Sequence, residues 1–200
     1  MSRVICIDAG HGQDSRVRGR YDPGAVSPFD DYVEREEASI VLAYAKTLAY
    51  HLRKSGWSVV MTRNDASTPC PLSSRVEIAS KAGAHALISL HMNSSASGGT
   101  GSETLYSSRH SQSEAFARAL HAHWRPVFGL TDRGLKRRDS LAVLRSSSFP
   151  SALLELGFLN SRADMDAVVG RTAEAFRARR IAFAQAIEQA LRSFFRVVTP

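Results

Sequence analysis

Arg3-Val4-Ile5-Cys6-Ile7-Asp8-Ala9-Gly10-His11-Gly12 begins as an apolar run and ends in a histidine between two glycines. A run this apolar belongs to the interior of a sheet rather than to a half-exposed strand. The two glycines let the backbone turn sharply and leave room around the imidazole. Similar short apolar runs recur at Trp57 to Thr62, Ala86 to Leu90, Glu103 to Tyr106, Ala142 to Leu144 and Ala152 to Leu156. Between them, apolar residues return at three- and four-residue steps: Ile40, Val41, Tyr44, Leu48 and Leu52; then Phe116, Leu120 and Trp124; then Phe183, Ile187, Leu191 and Phe194. A shorter helix is expected from about Ser73 to Ala82. This alternation predicts an α/β fold, a single domain whose central, mostly parallel or mixed sheet of about six strands carries helices on both faces.

Length and composition agree. At 200 residues and 44% hydrophobic, the chain has one domain's worth of sequence and enough apolar content for a full core, which excludes a disordered or fibrous protein. No repeat divides it and no Pro- or Ser-rich linker sets off an appended module, so residues 1–200 read as one unit. Two loops interrupt the plan, Gly12 to Val33 and Ser94 to Gly101, and a structureless loop of the first one's length is commonly functional. The net charge of +7 favours a polyanionic partner, whether nucleic acid, anionic cell wall or membrane surface, without choosing among them. Cys6 lies in an apolar run and Cys70 in a Ser/Thr/Pro loop, so both read as free thiols. Nothing approaches the 18 apolar residues of a membrane span, and no signal peptide is read ahead of the first strand.

The chemistry gathers at strand ends. His11 follows the first strand, and His91 follows another in Ile88-Ser89-Leu90-His91-Met92-Asn93. Both stand where open α/β sheets place their ligands, just past the carboxyl ends of buried strands. A metal site needs a third ligand, and Glu34, Glu36 and Glu37 precede the first helix. Helical counting puts Glu37 on the face of Ile40, Val41, Tyr44 and Leu48, with Glu36 about 100° away and Glu34 on a face similar to that of Glu37. Acidic residues in a first turn also complement the helix dipole, which accounts well for Glu34 and Glu36 and poorly for Glu37. Glu155 interrupts the apolar run Ala152 to Phe158; a bare charge there needs a metal, a cation or a raised pKa, which makes it a candidate general base. Two imidazoles, a carboxylate and a water form a catalytic zinc set, with the other acid left to handle protons.

These residues resemble the zinc-dependent N-acetylmuramoyl-L-alanine amidases of the type 3 class, found in bacterial cell-separation enzymes and phage lysins. The likeness runs through Ile7-Asp8-Ala9-Gly10-His11-Gly12, Asp22-Pro23-Gly24-Ala25, a glutamate five residues before Leu42, Leu72-Ser73-Ser74-Arg75, Ser89-Leu90-His91-Met92-Asn93 and Pro150 through Phe158. The resemblance implies one zinc ion on His11, Glu37 and His91, with Glu155 catalytic, and it selects Glu37 over Glu34. Asn93 and Arg75 are expected at the substrate. The implied reaction is peptidoglycan hydrolysis at the amide between the lactyl group of N-acetylmuramic acid and L-alanine. The alternatives are a zinc peptidase cutting within the stem peptide, or a basic wall- or nucleic-acid-binding module without catalysis; with the four chemical positions intact, no nucleic acid is expected. By analogy with phage lysins, the expectation is a monomer without a wall-binding module, made in the cytoplasm without a leader. A membrane-permeabilising phage partner would then release it to the wall.

One departure stands out. The family passes quickly from Gly-His-Gly to Gly-Ala, whereas Gln13 to Tyr21 inserts a basic segment with Arg16, Arg18 and Arg20. It reads as a solvated loop or as a contact to anionic wall polymer. His51, His85, His110, His121 and His123 lack matching context and read as surface or packing residues, and Lys136-Arg137-Arg138 as a solvated turn. No Gly-x-Ser-x-Gly, Walker loop or His-Glu-x-x-His is present, which argues against serine hydrolases, P-loop nucleotidases and metalloproteases of that motif.

Overall fold

The computed structural model describes residues 3–146 and 148–197. Six strands form the main sheet: β1 (Val4–Ala9), β4 (Ser58–Met61), β5 (Ala86–Asn93), β6 (Ser102–Tyr106), β7 (Asp132–Arg137) and β8 (Ser151–Phe158), in the order β4-β1-β5-β8-β6-β7. The first four neighbours run parallel, β6 pairs antiparallel with β8, and β7 is parallel to β6. The sheet is therefore mixed, with its parallel half built from the most apolar runs. Five helices surround it: α1 (Glu37–Lys54), α2 (Ser74–Lys81), α3 (Ser113–Trp124), α4 (Arg162–Val168) and α5 (Ala173–Val197).

The two faces of the sheet do different work. Side chains alternate along a strand, so Ile5, Ile7, Ile88, Leu90, Ala152 and Leu154 face one way and meet α1, α3 and α5 in the larger core. That core includes Tyr44, Trp124, Phe128 and Phe183, whose rings pack edge to face or stacked at 5.2 to 6.2 Å. Cys6, Leu87, Leu105 and Leu153 face the other way, under Ala79 of α2 and a 3-10 turn at Ala142–Leu144. The same parity sends Asp8, Ser89, His91, Glu103 and Glu155 to this second face, because each shares its strand's odd or even set with those residues. The smaller core leaves the carboxyl ends of β5 and β8 uncovered by a second layer of large helices.

Two sequence expectations are corrected. Ala142–Leu144 forms the 3-10 turn and not a strand: its buried Val143 and Leu144 pack onto the sheet from outside it. The sixth strand is Asp132–Arg137, an edge strand whose polar sequence DRGLKR hides it from a reading based on apolar runs. The basic Lys136-Arg137 pair thus belongs to a strand, with Lys136 Nζ 2.6 Å from Glu103 Oε2. The loop from Gly12 to Val33 contains a small hairpin, β2 (Gly12–Gln13) with β3 (Tyr21–Asp22), which carries the basic insertion at its tip.

Candidate metal centre

His11 sits at the turn that leaves β1, with a positive φ of 59° that few non-glycine residues adopt. Two buried arginines hold that turn. Arg63 donates from Nε to the Ala9 carbonyl (2.9 Å) and from Nη2 to those of Gly10 (2.8 Å) and Ala38 (2.7 Å). Arg75 donates from Nη1 to the Ala9 carbonyl (2.8 Å) and Asp8 Oδ1 (2.7 Å), and from Nη2 to the His11 carbonyl (2.8 Å). Beneath them the Asp8 carboxylate also accepts from Thr62 and Ser89 hydroxyls. Burial alone would raise the Asp8 pKa, but the Arg75 charge and these two hydroxyl bonds outweigh it and hold it below the ordinary carboxylate value.

The Asp22-Pro23-Gly24-Ala25 segment then locks both His11 and the start of α1. His11 Nδ1–H donates to Asp22 Oδ2 at 2.9 Å, which leaves the Nε2 lone pair turned inward. The first amides of α1 find no side-chain cap; instead Glu37 N donates to the Ala25 carbonyl and Ala38 N to that of Pro23. Ala25 N in turn donates to Glu37 Oε2. Gly24 has φ +70°, and a Cβ there would come within 2.6 Å of Glu37 Oε2 and 2.8 Å of His11 Cδ2, so only glycine fits this approach. A Cβ on Gly10 would likewise run into the His91 ring.

The three candidate ligands meet around one oxygen. Glu37 Oε1 lies 3.1 Å from His11 Nε2 and 2.9 Å from His91 Nδ1, and it accepts from the amide of Met92 at 3.0 Å. A ligand atom from each of His11, Glu37 and His91 lies within 4.8 Å of the others. Burial opposes the charge on Glu37, but the His11 and His91 rings set against its Oε1 hold its carboxyl well below the usual range. Burial also disfavours a charged His91, and the bond to Glu37 and its charge raise the pKa above the ordinary histidine value.

Glu155 stands directly across from His91 in the β5–β8 register and across from Glu103 in the β8–β6 register. Its Oε2 is buried and has no hydrogen-bond partner among the described residues. Burial, with smaller contributions from the negative Glu37 and Glu103, pushes its pKa up to about 7 against the opposing influence of His91. Glu103 is itself neutralised by Arg133 Nε at 2.9 Å and Lys136 at 2.6 Å. Two neutral-capable imidazoles and a carboxylate form a donor set suited to zinc, and the orphaned Glu155 oxygen lies one residue pair from it; the residues present fit the ion.

The structure therefore brings His11, Glu37, His91 and Glu155 to one place. Glu34 is absent from the cluster, and Glu36 accepts a bond from the Tyr21 hydroxyl instead. Asn93 is half-buried two residues beyond His91, its side-chain oxygen on the amide of Ser94. Arg75 is corrected: at 1% exposure and committed to Asp8, Ser15 and three carbonyls, it supports the loop from below and has no surface to offer a substrate. Arg63, Asp22 as a partner of His11, and Glu103 were not singled out from sequence. The available signals were an arginine just past a strand and a carboxylate inside another. The remaining histidines hold structural partners: His121 joins Thr104 and Asp132, His51 joins Glu188, and His85 accepts from Val4 N.

Comparison with known proteins places this geometry in context. Residues 5–192 match the model of the N-acetylmuramoyl-L-alanine amidase family. The chain is 31% identical over 193 residues to the probable cell wall amidase LytH of Staphylococcus saprophyticus, covering 96% of this chain and 58% of that protein. It is 30% identical over 167 residues to the amidase LytC of Bacillus subtilis, of which it spans 31%. Among solved structures it resembles the catalytic domain of CwlV, an amidase from Bacillus (Paenibacillus) polymyxa, with 32% identity, a TM-score of 0.79 and coverage of 98% of this chain and 99% of that one. An amidase from Clostridium difficile gives a TM-score of 0.83 at 27% identity, with 99% of both chains covered.

Proposed function

The chain belongs to the N-acetylmuramoyl-L-alanine amidase family, and from that premise we propose that it hydrolyses peptidoglycan at the amide joining the lactyl group of N-acetylmuramic acid to L-alanine. The observation that carries the reading is the convergence of His11, Glu37 and His91 beside a buried carboxylate, Glu155, whose Oε2 has no partner. His11, Glu37 and His91 would hold one zinc ion. When bound, zinc supplies Lewis-acid polarisation of the scissile carbonyl and a lowered pKa for water.

The chain's own residues do the rest. Asp22 accepts a hydrogen bond from Nδ1–H of His11 and so fixes the tautomer whose Nε2 faces the ligand cluster. Glu155, with a pKa near 7, is ionised in useful amount at neutral pH; it accepts the proton of the attacking water and returns it to the departing L-alanine amine. Asn93, at the end of β5, is assigned to contact substrate. No helix among the described residues is long and apolar enough to cross a membrane.

Digestion of purified peptidoglycan tests the proposal. Mass spectrometry should find glycan freed of peptide and intact stem peptides with a new L-alanine amino terminus, both abolished by a chelator and restored by zinc. Shortened stem peptides with glycan still carrying L-alanine would identify a peptidase instead. Elemental analysis separates the ligands: Glu37→Gln should lose metal, whereas Glu34→Gln and Glu36→Gln should keep it.

A further inference from the structure

Arg16 and Arg18 of the hairpin and Arg145, more than a hundred residues further on, line one open groove of about 580 Å³ together with Leu72 and Ala142. The groove lies on the same side of the sheet as the ligand cluster. Val143 and Leu144 pack on Leu87, Leu105 and Leu153, which share their strand faces with His91, Glu103 and Glu155. The turn bearing Ala142 and Arg145 is thereby set on the catalytic face. The opposite wall is the basic hairpin, tied to the 70–72 segment by Cys70 N to the Gln13 carbonyl (2.9 Å) and Leu72 N to that of Ser15 (3.1 Å). Arg16 Nε lies 3.2 Å from Asp22 Oδ2, the same oxygen that accepts from His11, so this wall begins one carboxylate away from a candidate metal ligand.

The groove is short of negative charge. Arg18 and Arg145 have no acidic partner among the described residues, and Arg145 spends only one donor, on the Ser140 carbonyl. The single carboxylate in the lining, Asp14, has Oδ1 occupied by Gln13 and by the amide of Gly19. Guanidinium groups held at a protein surface without partners match carboxylates, which they grip through two parallel N–H donors. Leu72, 47% exposed, and Ala142 add apolar surface to the same lining.

We infer that this groove is an acidic-peptide subsite: it takes the carboxylates of the peptide part of the substrate on Arg18 and Arg145 and its small apolar side chains on Leu72 and Ala142. The inference rests on the amidase reading, which supplies a substrate carrying such a peptide. A phosphodiester polymer fits less well, because the lining mixes the arginines with apolar Leu72 and Ala142 and with the Asp14 carboxylate, whereas a chain of phosphates calls for a uniformly positive surface. The subsite is specific to this chain to the extent that the Gln13 to Tyr21 insertion builds one of its walls.

Fluorescence anisotropy on the full zinc-loaded chain tests it, using a labelled L-alanyl-D-glutamyl peptide with free carboxylates and the same peptide amidated. Neither contains the muramoyl amide, so binding is read without turnover. Free carboxylates should bind more tightly, and Arg18→Gln and Arg145→Gln should each weaken that binding by about three- to tenfold, the range for partly exposed charge pairs. The double variant should bind both peptides alike, and in wall digestion it should raise KM with kcat unchanged. Arg18→Lys and Arg145→Lys, which keep charge but not the fork, should fall between and serve if a glutamine variant folds poorly. Equal binding of the two peptides, no binding at all, an unaffected double variant, or arginine-dependent binding of teichoic acid in place of the peptide would overturn the assignment. Arginine-dependent peptide binding in a protein that releases nothing from peptidoglycan would keep the subsite and remove the amidase reading.

Discussion

Glu155 and Asp22 differ in what they ask of their surroundings. Glu155 is left with an oxygen that nothing in the fold satisfies, an arrangement that costs stability and is useful only if a proton or a bound group arrives there. Glu155→Gln preserves shape but cannot accept a proton, so zinc content and thermal midpoint should stay near those of the parent while turnover falls by about 10² to 10⁴. The base must be ionised to work. With its pKa raised to about 7, activity in the parent should climb as pH rises through that value, and this acidic limb should vanish in the variant. A zinc-replete Glu155→Gln enzyme with normal turnover would remove the carboxylate from the chemistry. Asp22 acts through His11, whose ring it orients at 2.9 Å. Asp22→Asn should lower metal affinity by about 10- to 100-fold, the usual cost of losing such a partner, with the fold intact by circular dichroism. Unchanged affinity in a competition titration would show that the ring is positioned without it.

The β1 turn and the start of α1 are held by side chains arriving from elsewhere in the chain. Arg63, just beyond β4, reaches the carbonyls of Ala9, Gly10 and Ala38, so one guanidinium clamps a strand end to the first turn of a helix. Arg63→Met fills similar space but leaves three buried carbonyls without that donor. Unfolding in urea should show a loss of at least about 3 kcal/mol, because each buried carbonyl left without a donor costs about 1 to 3 kcal/mol. Arg63→Lys, with one compact ammonium in place of the planar fork, should recover only part of it. A lysine variant as stable as the parent would show that the charge suffices and the fork geometry does not matter. Much of the element plan was legible beforehand. Strands near Val4–Ala9, Ala86–Asn93 and Ser151–Phe158 announce themselves by continuous apolar runs, and α1, α3 and α5 by their helical stripes. The edge strand Asp132–Arg137 was missed because none of its residues is fully buried, so no apolar alternation marks it. The seven-residue α4 is too short to show a stripe, though Ser161 caps it by accepting from Asp164 N.

For the molecule as a whole, acid should act through the buried Asp8–Arg75 pair. Asp8 is held below its ordinary pKa when folded, so its contribution to stability is complete above the usual carboxylate range and is lost as pH falls below about 4. The urea midpoints of the parent and Asp8→Asn should differ most at neutral pH and draw together as pH falls below the usual carboxylate range; a gap that does not narrow with acid would mean that Asp8 stays ionised or contributes nothing by charge. The α/β class could be read from order and spacing along the chain and the family from its motifs; His11, Glu37, His91 and Glu155 stood out there as candidates, with the family resemblance choosing Glu37 over Glu34. Strands and helices declare themselves through local periodicity, and a histidine after a buried strand can only emerge at the sheet's edge. Sequence counting put Glu37 on the right helix face for the same reason. What only the tertiary structure decided is how these groups are held and what flanks them: Arg75 under the site instead of at the substrate, Arg63 and Asp22 as its supports, Glu103 beside Glu155, and the basic hairpin facing Arg145 across a groove. Each of these pairs joins residues whose separation in sequence carries no period, and long side chains such as arginine reach their partners in directions that neither strand nor helix spacing sets.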